Sequence, residues 1–192
     1  LESEAFVERF TERNYAVGRV LGFQDLRVGD NQVDQPNLIP EVDIQFLGDP
    51  NQTLGGRWSL GFNGLGLARD DGQDVSRGIV EAGWERRFVT GFGLVTTLDT
   101  FIRGDVYHVT DRDVATTGSG RSREGTSTRF IPGVHAVSSY PVSRNFDNAQ
   151  VVLEPVVGLT ATTNIDNTDG DIPNEDSRDV QIDASNLFRR SR

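Results

Sequence analysis

Between Phe92 and His108 the side chains alternate between a mainly apolar face and one that carries charge. Phe92, Leu94, Thr96, Leu98, Thr100, Ile102, Gly104, Val106 and His108 occupy the even positions, and Asp99, Arg103, Asp105 and Tyr107 lie among the odd ones. A period of two is the signature of a strand with unlike faces, because successive side chains of extended backbone point to opposite sides. Val75 to Phe88 repeats it, with Val80, Ala82, Trp84 and Phe88 against Arg77, Glu81, Glu85 and Arg87. In the next segment Phe130, Pro132, Val134, Ala136 and Tyr140 alternate with Arg129, His135 and Ser139. In 149–159, Val151, Leu153, Pro155, Val157 and Leu159 face away from Gln150, Glu154 and Gly158. Weaker strands are expected at about 4–11, 15–27, 41–48 and 56–69. No stretch shows the 3.6-residue period of a helix, so the chain reads as all-β with eight strands.

The connections separate the possible β architectures. Those near 12–14, 49–55, 89–91 and 141–147 are short, and those near 28–40, 110–126 and 162–192 are long; the turn Asp70-Asp71-Gly72-Gln73-Asp74 belongs to the long series but is itself short. Near-alternation of short and long ends is expected of an antiparallel transmembrane β-barrel, whose turns on one side of the membrane are short and whose loops on the other are long. A soluble β-sandwich, the competing architecture, has no reason to sort its loops in this way. Phe130 and Tyr140 share a face ten residues apart, roughly 33 Å along a strand at about 3.3 Å per residue. A tilt of about 40–45° reduces this to roughly 24 Å, near the roughly 25 Å apolar band that aromatic girdles flank. Pro132 and Pro155 sit inside expected strands without the N–H that a ladder needs. If 141–147 is a simple hairpin, they lie almost opposite each other and leave a weak seam.

Composition changes this picture in three ways. The 192 residues carry 29 acidic and 19 basic side chains, a formal charge of −10, which argues against nucleic acid as a partner. The absence of Cys excludes a disulfide framework and a thiol nucleophile. Met is absent too, so the chain is expected to be an internal piece of a longer product, and any targeting signal to lie outside it. Apolar residues make up only 35%, and no window approaches the roughly 18 continuous apolar residues of a membrane helix. That does not exclude a barrel, whose strands hide a lipid-facing surface within an alternating sequence.

Enzymatic chemistry finds little support. His108, beside Asp105, Thr110 and Asp111, and His135, on a polar strand face, are the two candidate acid–base residues. There is no Gly-x-Ser-x-Gly elbow, so an outer-membrane barrel hydrolase is kept only as the alternative to a non-enzymatic barrel. No cofactor is expected and no metal site is assigned. In Asn164 to Asp171 the EF-hand register that puts Gly170 sixth places Ile165 where the first carboxylate belongs. Gly118-Ser119-Gly120 lacks the Gly-Lys-Ser/Thr of a phosphate loop. More informative is a set of charges, Glu81, Glu85, Asp99, Arg103, Asp105, Arg129 and Glu154, that the alternation turns away from lipid as expected polar contacts of a lumen.

The stretch Ile172-Pro173-Asn174-Glu175-Asp176-Ser177, followed by Asp179, Asp183, Asn186-Leu187-Phe188 and Arg192, resembles a signature of the LptD (OstA, Imp) lipopolysaccharide-assembly outer-membrane proteins. Phe23 to Arg27, Ile39 to Asp43, Arg129 to Pro132, Ser139-Tyr140-Pro141 and Leu153-Glu154-Pro155 agree with it in order, so the likeness spans 23–192. The resemblance implies about eight strands of a larger barrel in the outer membrane of a Gram-negative bacterium. Residues 1–161 are then strands and connections, and 162–192 a long acidic loop carrying the motif and leading to the next strand. It also implies lipopolysaccharide as the substrate, an LptE-type plug lipoprotein inside the barrel, and a periplasmic transport bridge met through a jellyroll domain that members carry ahead of the barrel. The cysteine pairs of the family are not found in this stretch.

Overall fold

A computed structural model describes residues 1–24, 37–69, 72–111 and 124–163. The signature at 172–188, the loop 162–192 from residue 164 onward, and the glycine-rich and Asn164 to Asp171 stretches lie outside them. Among the described residues ten strands follow one another: β1 (Glu2–Phe10), β2 (Asn14–Phe23), β3 (Asn37–Leu47), β4 (Arg57–Ala68), β5 (Asp74–Val89), β6 (Val95–Thr110), β7 (Gly125–Ser139), β8 (Val142–Phe146), β9 (Ala149–Leu153) and β10 (Val156–Thr162). Eight of them form one antiparallel sheet in the order β1-β2-β3-β4-β5-β6-β7-β10, and β8 and β9 form a separate hairpin. The sheet is open, with β1 and β10 at its edges.

The hairpin corrects the expectation of a single strand over 149–159 and a short turn at 141–147. Period two runs through Val151, Leu153, Pro155 and Val157 and conceals a break, since a residue count does not show where a ladder changes partner. β8 closes on β9 through Asp147-Asn148, residue types that suit a two-residue hairpin turn. Pro155, unable to donate, marks the join to β10, and its carbonyl accepts from the Tyr140 N–H at 3.1 Å. β10 then pairs with β7 from Val156↔Ser139 to Thr162↔Gly133, while Pro132 lies opposite Ile102 of β6. The two prolines are therefore not opposite each other, and no shared weak seam exists. The strand ends keep the expected sorting: Phe10 and Asn14, Leu47 and Arg57, and Val89 and Val95 lie at one end of the sheet, and Phe23 and Asn37, Ala68 and Asp74, and Thr110 and Gly125 at the other.

Cross-strand partners share a face, so the register divides the sheet into two surfaces. One carries Phe46, Trp58, Leu60, Phe62, Val80, Trp84, Phe88, Ile102, Val106, Phe130, Val134, Val157 and Leu159. Among the described residues of β3 to β7 and β10, its charged or titratable members are Asp74 and His108 near one end and Arg86 near the other. The opposite surface of these strands carries the other acids and the remaining arginines. Exposure alternates with the faces: in β6, Asp105 and Tyr107 are 4% and 5% exposed, but Ile102 and Val106 are 51% and 44% exposed. In a single-layer sheet this is what curvature toward the polar side produces, because side chains crowd on the inside of a curve and splay on the outside. The large apolar side chains left exposed on the convex side form a patch too extensive for a monomer in water and suited to lipid.

β3 holds one irregularity. Leu38 pairs with Leu67 and Glu41 with Leu65, so Ile39 and Pro40 together face Gly66 in a bulge. A Cβ on Gly66 would overlap the Ile39 carbonyl oxygen, whereas one on Gly104 would meet nothing. Gly66→Ala should cost about 1–3 kcal/mol through forced backbone movement, and Gly104→Ala should stay within about 0.5 kcal/mol. Urea unfolding of the two variants in lipid vesicles checks this; equal effects would show that the bulge does not constrain the ladder.

Candidate functional site

The polar face is organised around Asp105. Register places it directly across from Arg129 of β7 and two residues from Arg103 on its own strand, so all three side chains project from the same surface. Arg103 Nε donates to Asp105 Oδ1 at 2.7 Å, and Arg129 Nε donates to Oδ2 at 2.8 Å, with Arg129 Nη2 also against Oδ2. Arg129 Nη2 further donates to the Tyr107 hydroxyl at 3.1 Å, and the guanidinium lies over the Tyr107 ring, 5.6 Å from its centroid. The Asp105 carboxylate is shut off from solvent while the Arg103 and Arg129 side chains stay 33% and 23% exposed. One buried acid is thus held by two arginines that remain partly exposed, and the trio keeps a net charge of +1.

Neighbouring rows extend the surface. Glu81 stands opposite Arg103, and Arg77 Nη2 donates to Asn63 Oδ1 at 3.1 Å. A second row runs Arg57, Glu85, Asp99, His135, Thr160 across five strands. Glu85 and Asp99 face each other as like charges, an unfavourable pairing that Arg57, 3.8 Å from Glu85, and His135, opposite Asp99, flank on either side. His135 Nδ1 lies 2.7 Å from Thr160 Oγ1. Toward the β1 edge, Tyr15 donates to Glu8 at 3.1 Å and Arg19 pairs with Glu41. The sequence reading passed over this group because it falls on the strands with the weakest alternation.

Six of the seven charges expected to share a face therefore do so: Glu81, Glu85, Asp99, Arg103, Asp105 and Arg129. Glu154 does not. It is exposed in the link between β9 and β10, outside the sheet, because the strand that was to carry it ends at Leu153. The two histidines are also separated. His108 stands on the convex face at the end of β6, with Nδ1 2.9 Å from Thr126 Oγ1 and Nε2 3.5 Å from Glu124 Oε1. His135, on the other face, has a hydroxyl and a carboxylate nearby, but the backbone around it is committed to the β6-β7-β10 ladder rather than turned toward a reacting oxyanion.

A second arrangement had no forecast in the sequence. The connection 48–56 folds against the convex face: Trp84 Nε1 donates to Thr53 O at 2.8 Å, Arg86 Nη1 donates to Leu54 O at 2.7 Å, and Arg86 stacks on Phe88 with its carbon 4.6 Å from the ring centroid. Gly55, at φ +73°, and Gly56 permit the approach, since a Cβ on either would press on the Arg86 guanidinium or the Trp84 indole. An arginine on an otherwise apolar face next to a Gly-Gly loop was the available signal.

Residues 1–192, the whole chain, match the LptD family, described as LPS transport system D. The chain belongs to the LptD family. No curated protein matches it. Membership places the chain among the outer-membrane β-barrels of lipopolysaccharide transport and assembly, with lipopolysaccharide as the substrate, and the all-β antiparallel sheet accords with that class. In an LptD wall, the Asp105 cluster ties β6 to β7 on the face opposite the apolar one. Asp105→Ala should leave two guanidinium groups without their counter-charge and cost about 2–4 kcal/mol, the upper value being that of a fully buried pair. Tyr107→Phe should cost about 1 kcal/mol. Denaturant titration of both barrels is the measurement; an Asp105→Ala loss no larger than that of Tyr107→Phe would remove Asp105 from the centre of the wall.

Proposed function

We propose that the concave polar face is part of the lumen wall through which the sugar and phosphate portion of lipopolysaccharide passes toward the outer leaflet of the outer membrane. The observation that carries this reading is the division of the sheet. Its convex side is apolar over the middle of every strand from β3 to β10 in the sheet, and its concave side is lined with paired charges whose arginines remain partly exposed. A phosphate-bearing glycolipid needs hydrated donors along its path but no tight trap. Arg103 and Arg129, each already engaged by Asp105, offer only part of their hydrogen-bonding capacity, which favours brief contacts with phosphate or carboxylate groups. The chemistry required is movement and charge stabilisation, so the function is read as non-enzymatic.

In the same reading, a plug lipoprotein of the LptE type occupies the lumen and shares this wall, and a periplasmic bridge delivers the substrate from the side of the short connections.

Site-specific photocrosslinking separates the faces. A photoreactive residue at Thr97 or Ser127, on the concave face, is expected to capture lipopolysaccharide during transport, and one at Leu98 or Val106, on the convex face, is expected to capture it several-fold less. Equal capture at the two sets, or capture confined to Leu98 and Val106, would reject the polar wall as the route.

A further inference from the structure

We infer that the Arg86 clasp at the short-connection end of the convex face is a binding site for the phosphate headgroup of a membrane glycerophospholipid. The inference rests on the reading of that face as lipid-exposed and of that end as periplasmic, which makes the ligand a lipid of the inner leaflet.

Arg86 is an arginine where the face predicts none. Its neighbours on that face are Trp84, Phe88 and Trp58, the last directly across from Trp84. Such a charge costs least close to the interface, and Arg86 lies three residues before the end of β5, about 10 Å along the strand and less than that in depth once the strand tilts. Among the described residues no carboxylate pairs with it. Its Nη1 is spent on the Leu54 carbonyl and its flat side on the Phe88 ring, which fixes the plane of the guanidinium and leaves Nε and Nη2 to be satisfied. A planar donor edge held in apolar surroundings at headgroup depth is complementary to a phosphodiester oxygen pair.

The loop completes the lipid side of the site. Leu54 is 79% exposed, with a backbone φ of +53° that a leucine seldom adopts. It is held in that conformation by the same carbonyl that receives Arg86. Trp84 anchors the preceding residue through Thr53 O. Leu54, Trp84 and Phe88 thus surround the cation with apolar surface for the upper acyl chain, while the acid-free surroundings disfavour a protein cation or a metal. Arg87, the next residue, belongs to the opposite face and is opposite Thr97, so it provides a control of equal charge.

The full-length barrel in detergent, offered phosphatidylglycerol and observed by native mass spectrometry, tests the site. Arg86→Gln is expected to reduce retained lipid about tenfold, the loss of one charge-assisted contact, and Arg87→Gln is expected to leave it unchanged. Equal retention in Arg86→Gln and wild type would overturn the inference, as would release of the lipid by millimolar inorganic phosphate, which would make the site one for free phosphate. A second measurement needs no Arg86 variant: a photocrosslinker at Leu54 in cells should capture a glycerophospholipid. Capture of lipopolysaccharide or of protein alone would overturn the site. A crosslinker at Thr128, on the convex face toward the other end, separates the two levels of failure. Lipid at Thr128 but none at Leu54 defeats the headgroup site only, whereas lipid at neither position defeats the membrane reading on which it rests.

Discussion

The register of the antiparallel ladder is the constraint on which everything else in this chain depends. β5 and β6 pair without a break from Asp74↔Thr110 to Val89↔Val95. Because side chains alternate strictly, a slip of one residue in β5 would turn Arg77, Glu81, Glu85 and Arg87 onto the convex side. Each arginine so placed near the middle of a bilayer costs about 2–4 kcal/mol. A soluble domain fixes its register by filling a core; this sheet has almost none, with Val75, Tyr107, Val109 and Ile131 as its buried apolar and aromatic residues. The two solvents on its two sides take the place of the core, one rejecting charge and the other accepting it.

That constraint also explains why the polar face is built from pairs. Charges turned to one face by the register must be kept from repelling one another. Asp105 does this for Arg103 and Arg129, and the Glu85-Asp99 opposition is flanked by Arg57, 3.8 Å from Glu85. Surface pairs of this kind contribute little stability individually, but around Asp105, which is closed to solvent, the pairing is obligatory rather than decorative. On the proposed reading of this face as a lumen wall, the same contacts that make the wall foldable also set how strongly it binds a passing anionic group.

Much of this was legible in the residues. The strands β5, β6 and β7 announce themselves because each alternates over a dozen positions or more, and the charged set follows from parity alone. Glu154 was misplaced for the same reason that the others were placed well: parity survives a break in pairing, and only the Asp147-Asn148 turn signals that β8 and β9 leave the sheet. The bulge at Ile39 and Pro40 was hidden because it depends on the absence of a side chain at Gly66, a residue far away in sequence. The clasp of Arg86 by the 48–56 connection is a tertiary event between a strand and a loop about thirty residues earlier, which no local pattern encodes. The family signature at 172–188, by contrast, is plain in sequence and lies outside the described structure.

Arginine supplies every basic charge in this chain, and the described structure shows what lysine would not provide. Three guanidinium groups lie over aromatic rings, Arg86 on Phe88, Arg129 on Tyr107 and Arg144 on Phe146, at 4.6, 5.6 and 5.1 Å. At Arg129 the planar fork reaches Asp105 and the Tyr107 hydroxyl together while its face rests on the ring. A lysine ammonium is a compact, strongly hydrated charge that could meet one of these partners but not all three. At Arg86 the loop carbonyl and the ring take one N–H and one flat side. The environment therefore decides the role: beside a buried acid the guanidinium closes the wall, and on the apolar face, where no described carboxylate pairs with it, it is the charge on which the proposed phosphate site rests.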